Sequence, residues 1–287
     1  MSSQITTAFV EQYSSNIQML SQQKGSLLRD KVRLETVAGK NAFFDQVGSV
    51  TATVRTSRHS DTPQSDTPHS RRRVSLVDYE FADLIDDLDK VRMLADPTSS
   101  YAQAAAYAMG RAMDDAVIAA ATGTAYTGVA GATSTALPAG QIITEAGTGR
   151  MTIAKLRTAK EILDLADVDP SLPRYIVVGP KQITDLLGTT EVTSSDYNVV
   201  KALASGDVNS FLGFNFVVSN RLSVASSIRD CIAFVNDGIA LAVGKDVTAR
   251  IDERADKGYA TQVYYSAAFG ATRMEEEKVV KIQAYEG

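Results

Sequence analysis

His59 and His69 are the only histidines in the chain, and both lie in one polar stretch beside Asp61 and Asp66. Imidazole and carboxylate are ordinary ligands of a divalent cation, so these four side chains form a candidate metal set. Their host argues against it. It is a tandem five-residue repeat, Ser60-Asp61-Thr62-Pro63-Gln64 followed by Ser65-Asp66-Thr67-Pro68-His69, with almost no apolar side chain between Arg55 and Arg73. Such a stretch has little with which to build a rigid backbone or a supporting shell around a metal. The expectation is a solvated loop tip that holds no metal.

A second set, Asp83, Asp86, Asp87 and Asp89, follows Asp78 and Glu80. Neighbouring carboxylates shift one another's pKa and can share a cation, so a metal-dependent hydrolase working through Asp83, Asp86 and Asp87 is the enzymatic reading. The ordinary reading of such a run is a solvated face. Nucleophilic catalysis needs a base beside the nucleophile. Both histidines are in the loop tip, and the single cysteine, Cys231, sits in the apolar run Cys231-Ile232-Ala233-Phe234-Val235, which reads as a buried strand. Gly39-Lys40 is followed by Asn41 and Gly244-Lys245 by Asp246, so neither offers the Ser or Thr of a phosphate-binding loop. No catalytic residue and no cofactor is expected.

Five arginines, Arg55, Arg58, Arg71, Arg72 and Arg73, stand close in sequence to these acids. One reading pairs the basic set of one subunit with Asp83, Asp86 and Asp87 of the next, which would set the register of an assembly. The other is a phosphate-binding patch on a monomeric nucleic-acid module, with a steep salt dependence. No base-stacking aromatic accompanies the arginines along the chain, which weakens the second reading.

The elements that must position these residues follow from the apolar pattern. Phe9, Tyr13, Ile17 and Leu20 place a narrow apolar stripe on one helix face within an N-terminal arm over residues 1–48, which either packs on the chain's own core or lies on a neighbouring subunit, with Phe9 and Tyr13 as the expected contacts in the second case. Residues 49–81 predict an extended hairpin: Val50, Ala52 and Val54 alternate with polar residues before the tip, as do Val77, Tyr79 and Phe81 beyond it. Asp96-Pro97 opens a long helix that runs to about Gly123, with Tyr101, Ala104, Ala105, Ala108, Met109, Ala112 and Met113 on one face. Its 25 or so residues span roughly 37 Å. A second helix is predicted from about Thr152 to Ala166, then alternating short elements. These are a strand over Tyr175–Val178, a helix opened by Gly179-Pro180, a helix near Val199–Ala204 and a strand over Phe214–Ser219. A hairpin is predicted to join 231–235 to 239–243 across Asn236-Asp237-Gly238, and Thr261–Ala271 and Val279–Tyr285 read as closing strands.

The chain has 287 residues, 44% hydrophobic and 22% charged, enough for one large domain or two associated ones, and excludes wholesale disorder. A net charge of -5 leaves no global basic field for nucleic acid. The longest apolar runs, 104–109 and 116–121, fall far short of a membrane span. The first basic residue is Lys24, so the start of a secretory signal is missing, and the chain is expected to stay where it is made.

In this order, the arm, the long extended loop, the helix opening with Asp96-Pro97-Thr98 and the block containing Tyr175-Ile176-Val177-Val178-Gly179-Pro180 resemble the major capsid proteins of tailed double-stranded DNA bacteriophages. Their shared architecture is the Hong Kong 97 fold. The stretch 233–243, followed by 250–273, is similar to the part of those proteins that leaves the axial domain and returns to the peripheral one. The resemblance covers nearly the whole chain and rests on the order of elements. It implies an α+β fold with an arm (1–48), an extended loop (49–81), a peripheral domain (82–172) containing a spine helix (97–122), an axial domain (173–257) and return strands (258–287). It implies a virion shell subunit, made in the host bacterial cytoplasm, that forms pentamers and hexamers around double-stranded DNA without sequence specificity or a membrane. A portal, a separate scaffolding protein and a decoration protein are its implied partners. An encapsulin compartment, with the same fold around a cargo enzyme, is the near alternative. Some relatives join subunits through a Lys–Asn bond from the extended loop. With no lysine between Asn41 and Asp89, no such bond is expected from that loop.

Overall fold

The computed structural model describes residues 21–58, 61–62, 64–86, 98–144, 149–188 and 210–287. Phe9, Tyr13, His59, Asp87, Asp89, the Asp96-Pro97 cap and the helix expected near 199–204 lie outside the described residues. The described chain divides into two compact units.

The larger unit takes in residues 27–77, 112–244 and 269–287. Its main sheet has seven strands: β7 (Ile142–Ile143), β8 (Arg174–Val178), β9 (Ser210–Phe211), β10 (Phe214–Val218), β11 (Val224–Ala225), β12 (Ile228–Val235) and β15 (Val279–Tyr285). The order is β7-β15-β12-β8-β10-β9, with β11 added to β12. β8 and β10 run parallel, while β12 lies antiparallel to both β8 and β15. Strands covered on both faces read as unbroken apolar runs rather than alternations. Accordingly Ile176, Val177 and Val178 of β8 and all of 231–235 in β12 are buried.

Two helices of this unit follow from their sequence signals. The Thr152 hydroxyl accepts from the Lys155 amide at 3.4 Å and starts the helix Ile153–Leu165, which buries Leu156, Ala159 and Leu163. Gly179 caps Pro180–Leu187, with proline at the first turn. A Cβ on Gly179 would meet Gln182 Oε1 at 2.6 Å and Arg229 Cδ at 2.9 Å, so a side chain there would have to push both aside.

The same unit carries a four-stranded sheet of β2 (Asn41–Val47), β3 (His69–Ser75), β5 (Ala125–Thr127) and β6 (Thr133–Thr135), in that order. The predicted hairpin is therefore shifted. Its first strand is 41–47 rather than 50–54, and residues 48–58 form no strand. In β2 every second residue is half-buried, whereas Val50 and Val54 stay exposed because no strand faces them. Residues 33–36 (β1) and 41–47 are likewise paired strands, within the stretch expected to be the N-terminal arm.

The hairpin expected across 236–238 is also absent. Asn236–Gly238 is a short 3-10 turn, β12 pairs with β8 and β15, and the start of β13 (Ile239–Arg254) pairs with β1 instead. Both apolar runs are buried on both faces, so each occupies the middle of its own sheet and their backbone bonds are already used.

The smaller unit takes in 21–26, 78–86, 98–111 and 245–268 as far as described. Here the later part of β13 and the first part of β14 (Ala260–Arg273) run in a sheet closed at its edge by β4 (Val77–Ile85). The long helix, α1 (Thr98–Thr122), contributes residues 98–111, with Ala105 and Met109 buried. Its remaining turns, 112–122, belong to the larger unit and bury Met113, Val117, Ile118 and Ala121 there. Gly110 lets Gly25 approach: a Cβ at 110 would stand 2.4 Å from the Gly25 carbonyl carbon.

Candidate assembly surface

The arginine run 71–73 is split by the strand that carries it. Successive side chains of a strand point to opposite faces, so Arg72 leaves Arg71 and Arg73 behind. Arg72 points inward, 6% exposed, and its Nε donates to the Met274 carbonyl oxygen at 2.7 Å while Nη2 bonds the Glu276 carboxylate. Arg72 is thus committed within its own chain, and the expectation of a contact to a neighbour passes to the other four arginines.

Arg71 bonds Asp45 across β2 through Nε at 2.5 Å and Nη2 at 3.2 Å, and its guanidinium lies 5.7 Å from the centroid of Phe43. The hydrogen bond from Arg71 holds the Asp45 carboxyl below its usual range. Arg73 lies 4.8 Å from the Tyr126 centroid. The arginines therefore do have aromatic company, supplied by β2 and β5. That overturns the expectation drawn from the linear sequence, in which Phe43 and Tyr126 are far from position 72. Arg55 and Arg58 lie in the exposed segment 48–58, where Arg55 Nε donates to the Ser57 carbonyl oxygen at 2.9 Å and Nη2 to that of Arg58.

The acids fall on β4 and just beyond it. Asp83 accepts from the Leu84 amide at 2.9 Å, Glu80 accepts from the Tyr264 hydroxyl at 3.0 Å, and Asp86 follows the strand, exposed. Along β4 the side chains alternate between exposed and half-buried, so the acids do not converge on one point. Among the described residues no group of three or more His, Cys, Asp or Glu is placed to hold a metal. Burial pushes the Cys231 thiol up to about 12, which leaves it an inert core residue. Among the described residues no helix is long and apolar enough to cross a membrane.

Sequence reasoning passed over the cluster that anchors this surface. Arg273, wholly buried, donates from Nη1 to the carbonyl oxygens of Ala121 at 3.1 Å and Gly123 at 2.7 Å, and from Nη2 to that of Thr135 at 3.0 Å. It satisfies the carbonyls left over at the end of α1 with a cation, where the helix dipole favours one. Glu276 stands between Arg273 and Arg72. The charged run 273–278 looks like any solvated turn in sequence, so only burial reveals the role of Arg273 and Glu276.

Two long strands, a helix of 25 residues and an extended loop on a small sheet define the Hong Kong 97 capsid architecture. The chain belongs to the phage capsid protein family, whose profile matches residues 5–286. It is a structural protein of the phage capsid and not an enzyme, which sets aside the hydrolase reading of Asp83, Asp86 and Asp87. The capsid protein of cyanophage P-SCSP1u is similar at 20% identity, with a TM-score of 0.74 over 99% of this chain and 95% of that one. That of Ralstonia phage GP4 has a TM-score of 0.75 at 12% identity, over 97% and 96%. The capsid protein of a native GTA particle matches over 99% of both chains, at 15% identity and a TM-score of 0.67. A search of curated proteins finds no match.

Proposed function

We propose that the chain assembles as pentamers and hexamers into an icosahedral head that encloses double-stranded DNA without reading its sequence. The family match over residues 5–286 carries this reading. A net charge of -5 suits it, because a lining that bound DNA tightly everywhere would hinder packing. The shell needs partners of its own: a portal, a separate scaffolding protein and, in some heads, a decoration protein. The domain division expected from the sequence, from arm to return strands, is carried forward as part of this proposal.

Contacts between subunits are assigned to Phe9 and Tyr13 of the arm, to Arg55, Arg58, Arg71 and Arg73, and to Asp83, Asp86 and Asp87. Exposure of Arg55 and Arg58 on the segment 48–58, away from the chain's own core, supports their part in this. Co-expression with candidate scaffolding proteins from the same genome, followed by sedimentation, tests the proposal. Scaffold-dependent particles of uniform size are expected, and particles of random size in every combination would contradict it.

A further inference from the structure

Register sorts the side chains of the β2-β3-β5 sheet. Phe43 and Tyr126 are both cross-strand partners of Arg73, and Asp45 of Arg71, so these five share one face. It is the outer face, with Phe43 43% and Tyr126 42% exposed. Each guanidinium lies near a ring, as cation–π contact favours. Asp45 neutralises Arg71. Arg73 has no carboxylate partner among the described residues, and its stem is held in place: a Cβ on Gly131 would stand 2.6 Å from Arg73 Cβ and 2.7 Å from Cδ. Arg73 is therefore an uncompensated cation whose rotamer freedom is already reduced, which lowers the entropy lost on docking.

The β4 strand offers the complement. Asp78, Glu80, Ala82 and Leu84 are its exposed alternate residues. Two-residue spacing along a strand is about 6.7 Å, so Asp78 and Glu80 repeat at the same interval as Arg71 and Arg73. Tyr264 orients Glu80 through its hydroxyl. Phosphate would also suit Arg73, but the rings that would stack on bases each carry a guanidinium already, and Asp45 repels a phosphate beside Arg71.

We propose that this face, centred on Arg73, docks on Asp78 and Glu80 of a second copy of the chain, with Phe43 and Tyr126 against its Ala82 and Leu84. The inference rests on the shell-subunit reading above. Charge reversal tests it in the full chain, with shell yield at fixed concentration as the readout. Arg73→Glu, and separately Asp78→Lys with Glu80→Lys, should each reduce yield by about tenfold or more, because like charges then face each other. The triple reversal should recover most of it. Circular dichroism of the unassembled subunits checks folding, and Arg73→Gln replaces the reversal should that variant not fold. Variants that assemble like the parent, or a triple variant no better than the single ones, would overturn this contact while leaving the capsid reading intact. Normal yield with loss of retained DNA would assign the face to nucleic acid instead. A parent that stays monomeric under every condition contradicts both.

Discussion

Arg72 on β3 and Glu276 in the turn after β14 form an ion pair with side chains only 8% and 17% exposed, and Glu276 also lies 3.5 Å from Arg273 Nε. The base of the extended loop is thereby tied to the closing strands of the same unit. Glu276→Gln should leave two buried guanidiniums without their counter-charge and cost about 3 to 5 kcal/mol. Arg72→Met combined with Glu276→Leu should recover only the Arg72 share of that cost, since an apolar pair replaces Arg72 and Glu276 but buried Arg273 still loses its counter-charge. Denaturant unfolding of the unassembled subunit measures both.

Gly110→Ala sets two effects against each other. In an exposed helix interior the change stabilises by about 1 kcal/mol. Here the added methyl would stand 2.4 Å from the Gly25 backbone, which cannot swing away as a side-chain tip would. The clash should win, with a net loss of about 1 to 3 kcal/mol. Thermal melting of the variant beside Ala108→Gly, a nearby change on the same helix, separates propensity from contact.

Acid sensitivity should include a contribution from Glu286. Its bond to the Arg229 guanidinium holds its carboxyl below the ordinary 4.5, with Gln182 Nε2 donating at 3.1 Å as a further support. A depressed folded pKa means that the stabilisation is complete above about 4.5 and is lost as pH falls through the lower folded value. Glu286→Gln should lower stability at neutral pH and flatten this part of the profile below 4.5. A profile of unchanged slope in the variant would remove Glu286 from the account.

The architecture was legible in sequence where a single period or a cap decided the element. Thr152 and Gly179-Pro180 opened their helices as expected, and the Val-, Tyr- and Ala-rich composition of the chain's last strands placed β14 and β15. Strand pairing was less legible. The run 231–243 contains two strands with an Asn-Asp-Gly between them, a local hairpin signal that lost to the partners each strand finds far away in sequence. The surface was half legible: Arg71–Arg73 stood out as a run, but the pleat that divides them, the rings from β2 and β5 and the buried Glu276 depend on tertiary pairing.

The measurement that bears most directly on the central claim is negative-stain microscopy, with light scattering, of the protein expressed alone and then with candidate scaffolding. Closed icosahedral shells, or discrete pentamers and hexamers, are the result this account predicts. A folded monomer at every concentration and with every scaffolding candidate would contradict it.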